Sequence, residues 1–84
     1  MKDYKVESLT YASGDIMGKT KPKYFQTREK AEEYAETLLS THKRYNLDIY
    51  ILHRDRQSKN PNFWSTVRYI VKISTDCVVT DYPE

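Results

Sequence analysis

Residues 27–56 read TREKAEEYAETLLSTHKRYNLDIYILHRDR, and a change of period inside this stretch decides the fold class. Apolar and aromatic residues first recur as Ala31, Tyr34, Ala35, Leu38, Leu39, His42 and Tyr45. At about 100° per residue they fall within an arc of roughly 140°, with Glu29, Glu33, Glu36, Ser40 and Lys43 opposite, which is the pattern of a helix with one packed face. Thr27 stands where an N-cap hydroxyl is needed. Lys43 and Arg44 suit the negative C-terminal end of the helix dipole, and Asn46 tolerates the left-handed backbone that stops a helix. The spacing predicts one helix over roughly residues 28–45. From Leu47 the period becomes two: Leu47, Ile49, Ile51 and His53 lie on one side, and Asp48, Tyr50, Leu52, Arg54 and Arg56 on the other. A strand with one apolar face follows the helix.

On the C-terminal side, Gln57-Ser58-Lys59-Asn60-Pro61-Asn62 is a run of turn residues that predicts a hairpin loop. Phe63 to Ser74 predicts the returning strand, with Phe63, Val67, Tyr69, Val71 and Ile73 on one side and Trp64, Thr66, Arg68, Ile70 and Lys72 on the other. Residues 77–82 predict a short last strand before Pro83. On the N-terminal side, residues 4–12 are rich in β-branched and aromatic types and predict a first strand, although their alternation is blurred. Ser13-Gly14-Asp15 marks a turn. Residues 16–26 carry Pro22 and read either as a basic loop or as a loop that leads into a short strand at 23–26. The expected class is α+β, an antiparallel sheet of three to five strands with one long helix packed on one face, in the order β(β)αββ(β). The helix stripe is expected to meet Leu47, Ile49, Ile51, Val67, Tyr69, Val71 and Ile73.

A chain of 84 residues predicts a single domain, residues 1–84. Leu, Ile, Val and Phe make up only 17 residues, so the eight Tyr and the Trp must supply much of the apolar area, while a net charge of +2 argues against disorder. Cys77 has no partner in the chain, whereas a small secreted domain normally carries two to four disulfides; a cytoplasmic location is expected. Neither a signal-peptide core nor an eighteen-residue apolar run is present, so a soluble protein without membrane contact is expected.

No catalytic motif is found. Gly14 and Gly18 are the only glycines, too few for a phosphate-binding loop, and no cofactor or metal is expected. His42 and His53 lie on different elements with no ligand at metal spacing beside them, and nothing in the spacing of Cys77, His53 and Asp55 supports a nucleophilic set. Glu29, Glu32, Glu33 and Glu36 read as a solvated helix face. The protein is expected not to be an enzyme.

Lys, Tyr and Ile are plentiful and Gly and Ala scarce, as in an AT-rich genome, and in composition the chain resembles the small accessory proteins that bacteriophages of that kind encode. Residues 23–32, KYFQTREKAE, resemble the Phe-x-Thr-x-x-x-Ala junction from strand into helix of many small α+β modules, among them the arm-type DNA-binding domains of phage integrases. That resemblance implies a fold element, with Thr27 as cap and Ala31 opening the packed stripe. In the integrase domains a three-stranded sheet precedes the helix, while here the better strands follow it, so no DNA-contacting residue carries over.

The sheet face away from the helix is the candidate site. If the two long strands pair as a hairpin, plain alternation sets Tyr50, Arg54 and Arg56 beside Trp64, Arg68 and Lys72, with Asp48 the one carboxylate, at the end. An aromatic and cationic surface of this kind suits base stacking with phosphate neutralisation. Lys19, Lys21 and Lys23, followed by Arg28 and Lys30, add positive charge. The expected function is a small binding module for RNA or another single-stranded nucleic acid. The alternative is an inhibitor that binds a host protein, such as a toxin or defence factor, through the same face. Self-association as a homodimer is a further expectation, from the thin core and the exposed aromatics.

Overall fold

The computed structural model describes residues 2–12, 15–19, 21–41, 46–73 and 78–83. One helix lies against a six-stranded antiparallel sheet. The elements are β1 (Tyr4–Ala12), β2 (Asp15–Lys19), β3 (Lys23–Phe25), α1 (Arg28–Thr41), β4 (Asn46–Arg54), β5 (Trp64–Ile73) and β6 (Val78–Pro83). The main path runs β2-β1-β4-β5-β6, and β3 also pairs with β1. β2 borders the C-terminal half of β1 and β3 its N-terminal half. Because β3 and β4 are both antiparallel to β1, they run parallel to each other on either side of it. Parallel strands need a crossover of a dozen or more residues, and α1 supplies it by passing over β1. That connection places the helix on one face of the sheet and leaves the other face open.

Thr27 caps the helix as its position predicts: its Oγ1 accepts from the N–H of Lys30 at 3.3 Å, and its carbonyl accepts from Ala31 at 3.2 Å. Ala31, Ala35 and Leu38 are buried, with Tyr34 and Leu39 packed at the margin. Two alanines in the middle of the stripe let the helix backbone approach the sheet closely. They meet Val6 of β1 and Leu47, Ile49 and Ile51 of β4, and Val67 and Ile70 of β5 complete the core. His42, Lys43, Arg44 and Tyr45 lie outside the described residues, as do Ser13, Gly14 and Cys77. Asn46 is not a helix stop but the first residue of β4, paired with Tyr11.

Three sequence expectations change. The sheet has six strands, because residues 15–19 form β2, held to β1 by ladder pairing and by the Thr10 hydroxyl, which donates to the Gly18 carbonyl at 3.3 Å. A Cβ at Gly18 would meet that hydroxyl at 3.3 Å, so the close approach suits glycine. β4 ends at Arg54 rather than at residue 56, and Phe63 precedes β5 and is 66% exposed.

The third change concerns register. Ile51 pairs with Arg68, while its neighbour Leu52 pairs with Thr66, so Val67 is an inserted residue in β5. Such a β-bulge opposes two residues to one and reverses the parity of everything beyond it. Val67 keeps its core position, but from there Arg68, Ile70 and Lys72 lie opposite Ile51, Ile49 and Leu47 on the helix side. Ile70 is 2% exposed and Lys72 6%. Tyr69 and Val71 pass to the open face beside Tyr50 and Asp48, and Ile73 is exposed; none of these three packs under the helix as plain alternation predicts.

Candidate functional site: the open face of the sheet

Pairing places on the open face Lys5, Glu7, Leu9 and Tyr11 from β1, Asn46, Asp48, Tyr50, Leu52 and Arg54 from β4, and Trp64, Thr66, Tyr69 and Val71 from β5. Tyr24 of β3 joins them through Lys5. The face has two aromatic centres. Trp64 is the first: Lys5 Nζ lies 4.6 Å and the Arg54 guanidinium carbon 4.7 Å from its ring centroid, and Tyr24 stands beside it at 5.9 Å. Cations over an indole ring are drawn by its quadrupole, and their aliphatic stems cover part of its surface. The second centre is the cross-strand pair Tyr50 and Tyr69, stacked at 4.7 Å with 14° between ring planes.

The charges on this face are largely matched. Lys5 Nζ lies 3.3 Å from Oε1 of Glu7. Arg56, past the end of β4, folds onto Asp3 with Nε 2.5 Å from Oδ1, and Arg54 Nε lies 3.6 Å from the same oxygen, an ion-pair distance beyond hydrogen-bond reach. The hydrogen bond from Arg56, helped by the positive charge of both arginines, holds the Asp3 carboxyl below its ordinary range. Asp48 stands at the other end, where it raises the phenol of Tyr11 by accepting its hydrogen bond. Burial first, and then the Asp48 charge, pushes the Tyr69 phenol up to about 12.

The residues singled out from sequence divide accordingly. Tyr50, Arg54 and Trp64 come together on the open face, and Arg56 sits at its margin. Arg68 and Lys72 do not join them. Arg68 is turned to the helix side, where it binds Asp81 through Nε at 2.9 and 3.0 Å, with Nη2 also on that carboxylate, and reaches Glu32 of α1. Glu32 is therefore not a freely solvated charge: it accepts from Arg28 at 3.0 Å as well. Lys19, Lys21 and Lys23 lie on and between β2 and β3, exposed, with Lys23 Nζ 4.9 Å from the Tyr34 ring centroid. The site also contains Asp3, Lys5, Glu7, Tyr11, Tyr24 and Tyr69, which the sequence reading did not assign to it. A two-residue period in residues 4–11 does hold Lys5, Glu7 and Tyr11, but Ser8 on the packed side and Leu9 on the open side hide it.

A separate open cavity of about 340 Å³ lies beneath the β4–β5 connection, lined by His53, Asp55, Lys59 and Phe63 among others. The His53 ring rests 4.7 Å from that of Tyr4, and Asp55 accepts from the N–H of Gln57 at 2.9 Å, so both groups serve local structure. Among the described residues no cluster of three metal-ligating side chains occurs, and no helix is long and apolar enough to cross a membrane. Comparison of the chain with protein-family models, with curated proteins and with solved structures gave no match.

Proposed function

We propose that this protein is a non-enzymatic binding module that recognises another protein through the open face of its sheet, in the manner of a small inhibitor. The carrying observation is the pairing of that face's cations. Lys5 lies on Glu7, and Arg54 and Arg56 share Asp3, while Arg68 and Lys72 belong to the opposite face. An aromatic, nearly charge-matched surface is the composition of a protein interface core, in which Trp, Tyr and Arg dominate the energetics. A nucleic-acid platform needs ring faces presented to bases and cations free for phosphates. Here two cations occupy the ring of Trp64, and Tyr50 and Tyr69 each give one face to the other.

A second reading, binding of RNA or single-stranded DNA, draws on a different place. Lys19, Lys21, Lys23 and Lys30 are exposed with no carboxylate within ion-pair distance among the described residues. Capture experiments with the intact chain separate the two. Protein recognition predicts that one protein is retained after nuclease treatment, that Trp64→Ala and Tyr50→Ala each weaken its binding by about 2 kcal/mol or more, and that replacing the three lysines at 19, 21 and 23 leaves it bound. Retention of nuclease-sensitive RNA, with affinity falling steeply in salt and dependent on those lysines, would replace the first reading by the second. Sedimentation of the same samples tests self-association.

A further inference from the structure

Among the described residues Asp48 is the open-face carboxylate without a cation. Glu7 has Lys5 and Asp3 has two arginines, but among the described residues no lysine or arginine reaches Asp48 within ion-pair distance. Its surroundings are aliphatic and aromatic. By register Leu9 and Val71 flank it across the sheet, Tyr50 and Tyr69 form the next row on one side, and Tyr11 lies on the other. Among the described residues Lys72, one position away by register, lies on the opposite face, and the cation in Asp48's own row is Lys19, which faces Leu9 on β2 and is thus two strands away. Half-buried carboxylates beside tyrosine rings offer a planar cation both a charge-assisted bidentate hydrogen bond and ring faces to stack on.

We infer that Asp48, Tyr11, Tyr50 and Tyr69 form a seat for the guanidinium of an arginine presented by the protein partner. The inference rests on the protein-recognition reading above and names the chemistry its partner must carry. Arginine is favoured over lysine because a flat guanidinium forks onto a carboxylate while stacking on phenol rings, and it gives up its hydration more readily than an ammonium. The arrangement also accounts for the opposite charge at the two ends of the face, since the Trp64 end already holds its own cations. The Tyr11 phenol, raised chiefly by its hydrogen bond to Asp48, places one ring of the seat against that carboxylate.

The test uses N-acetyl-arginine amide as probe, titrated into the intact protein while the ring resonances of Tyr11, Tyr50 and Tyr69 are followed. Saturable shifts confined to these rings are expected, with a midpoint on the order of millimolar. N-acetyl-lysine amide should bind several-fold more weakly, and Asp48→Asn should weaken the arginine probe about tenfold. The amide is isosteric on a half-exposed strand position, and Tyr11→Phe, which removes only a hydroxyl, provides a second variant expected to alter the probe's affinity. Shifts that fail to saturate, equal binding of the two probes, or full binding to Asp48→Asn would overturn the inference. Those outcomes leave nuclease-resistant protein capture through Trp64 intact, so failure here is distinguishable from failure of the proposed function.

Discussion

Arg68 Nη1 on β5 lies 3.4 Å from Oε1 of Glu32 on α1, and the same guanidinium closes on Asp81 of β6. One side chain thus ties the helix, an interior strand and the edge strand together. The hydrogen bond from Arg68 holds the Asp81 carboxyl below its ordinary value of 3.8, and the Asp81 partner raises Arg68 in turn. A carboxylate whose folded pKa is depressed adds stability that is fully present above its unfolded value and is lost as pH falls through the folded one.

Asp81→Asn should therefore cost stability at pH 7 and cost progressively less as pH drops below about 4. Because the pair is solvent-screened, the neutral-pH loss should be under about 1 kcal/mol. Urea unfolding of both proteins at pH 7 and pH 3 checks this. An equal difference at the two pH values would show that the charge of Asp81 is not the source.

The alkaline limb carries the opposite sign. Tyr69, held up at about 12 mainly by burial, keeps its proton in the folded state where the unfolded chain has lost it, so its contribution is intact below pH 10 and disappears as pH rises toward 12. Absorbance titration near the tyrosinate band should show at least one phenol ionising well above the others. Tyr69→Phe should remove that late step and flatten the fall in stability above pH 10.

Ile49 is fully buried on the sheet side of the core, and Ala35 is fully buried on the helix side. Ile49→Ala should cost about 2–5 kcal/mol through lost transfer energy and a cavity. Ala35→Leu should cost about 1–3 kcal/mol because the helix must lift from β1 and β4. In a chain this small either loss is a large share of the total stability, so thermal unfolding should show both as a lowered Tm. A neutral Ala35→Leu would mean that the helix seats less closely than described.

Thr27→Ala removes the hydroxyl that receives the Lys30 N–H and should cost about 1 kcal/mol. Thr27→Asp, which keeps an acceptor and adds a charge favoured at a helix N-terminus, should restore or exceed the original stability. Amide exchange over residues 28–32 localises the effect, and a loss spread evenly over the sheet would contradict it.

Local period determined much of this protein from sequence alone. Residues 27–54 announce a capped helix followed by an alternating strand, because the stripe of Ala31, Ala35 and Leu38 and the alternation of Leu47, Ile49 and Ile51 each need only their own segment to be read. The same holds for Tyr50 and Arg54 as residues of one face of β4, which Trp64 joins through the pairing of β4 with β5. Tertiary structure alone decided the rest. In β5 both parities are partly apolar, Val67, Tyr69 and Val71 on one and Ile70 on the other, so the choice between them depends on the partner strand. The bulge at Val67 makes that choice by sending Ile70 into the core and Arg68 to Glu32. β2 likewise gains its strand character from the ladder of β1, since Asp15–Lys19 has too little apolar alternation of its own. Pairing register is a relation between distant segments, and one inserted residue reverses every side chain beyond it, so the division of charges between the two faces was beyond the reach of any single stretch.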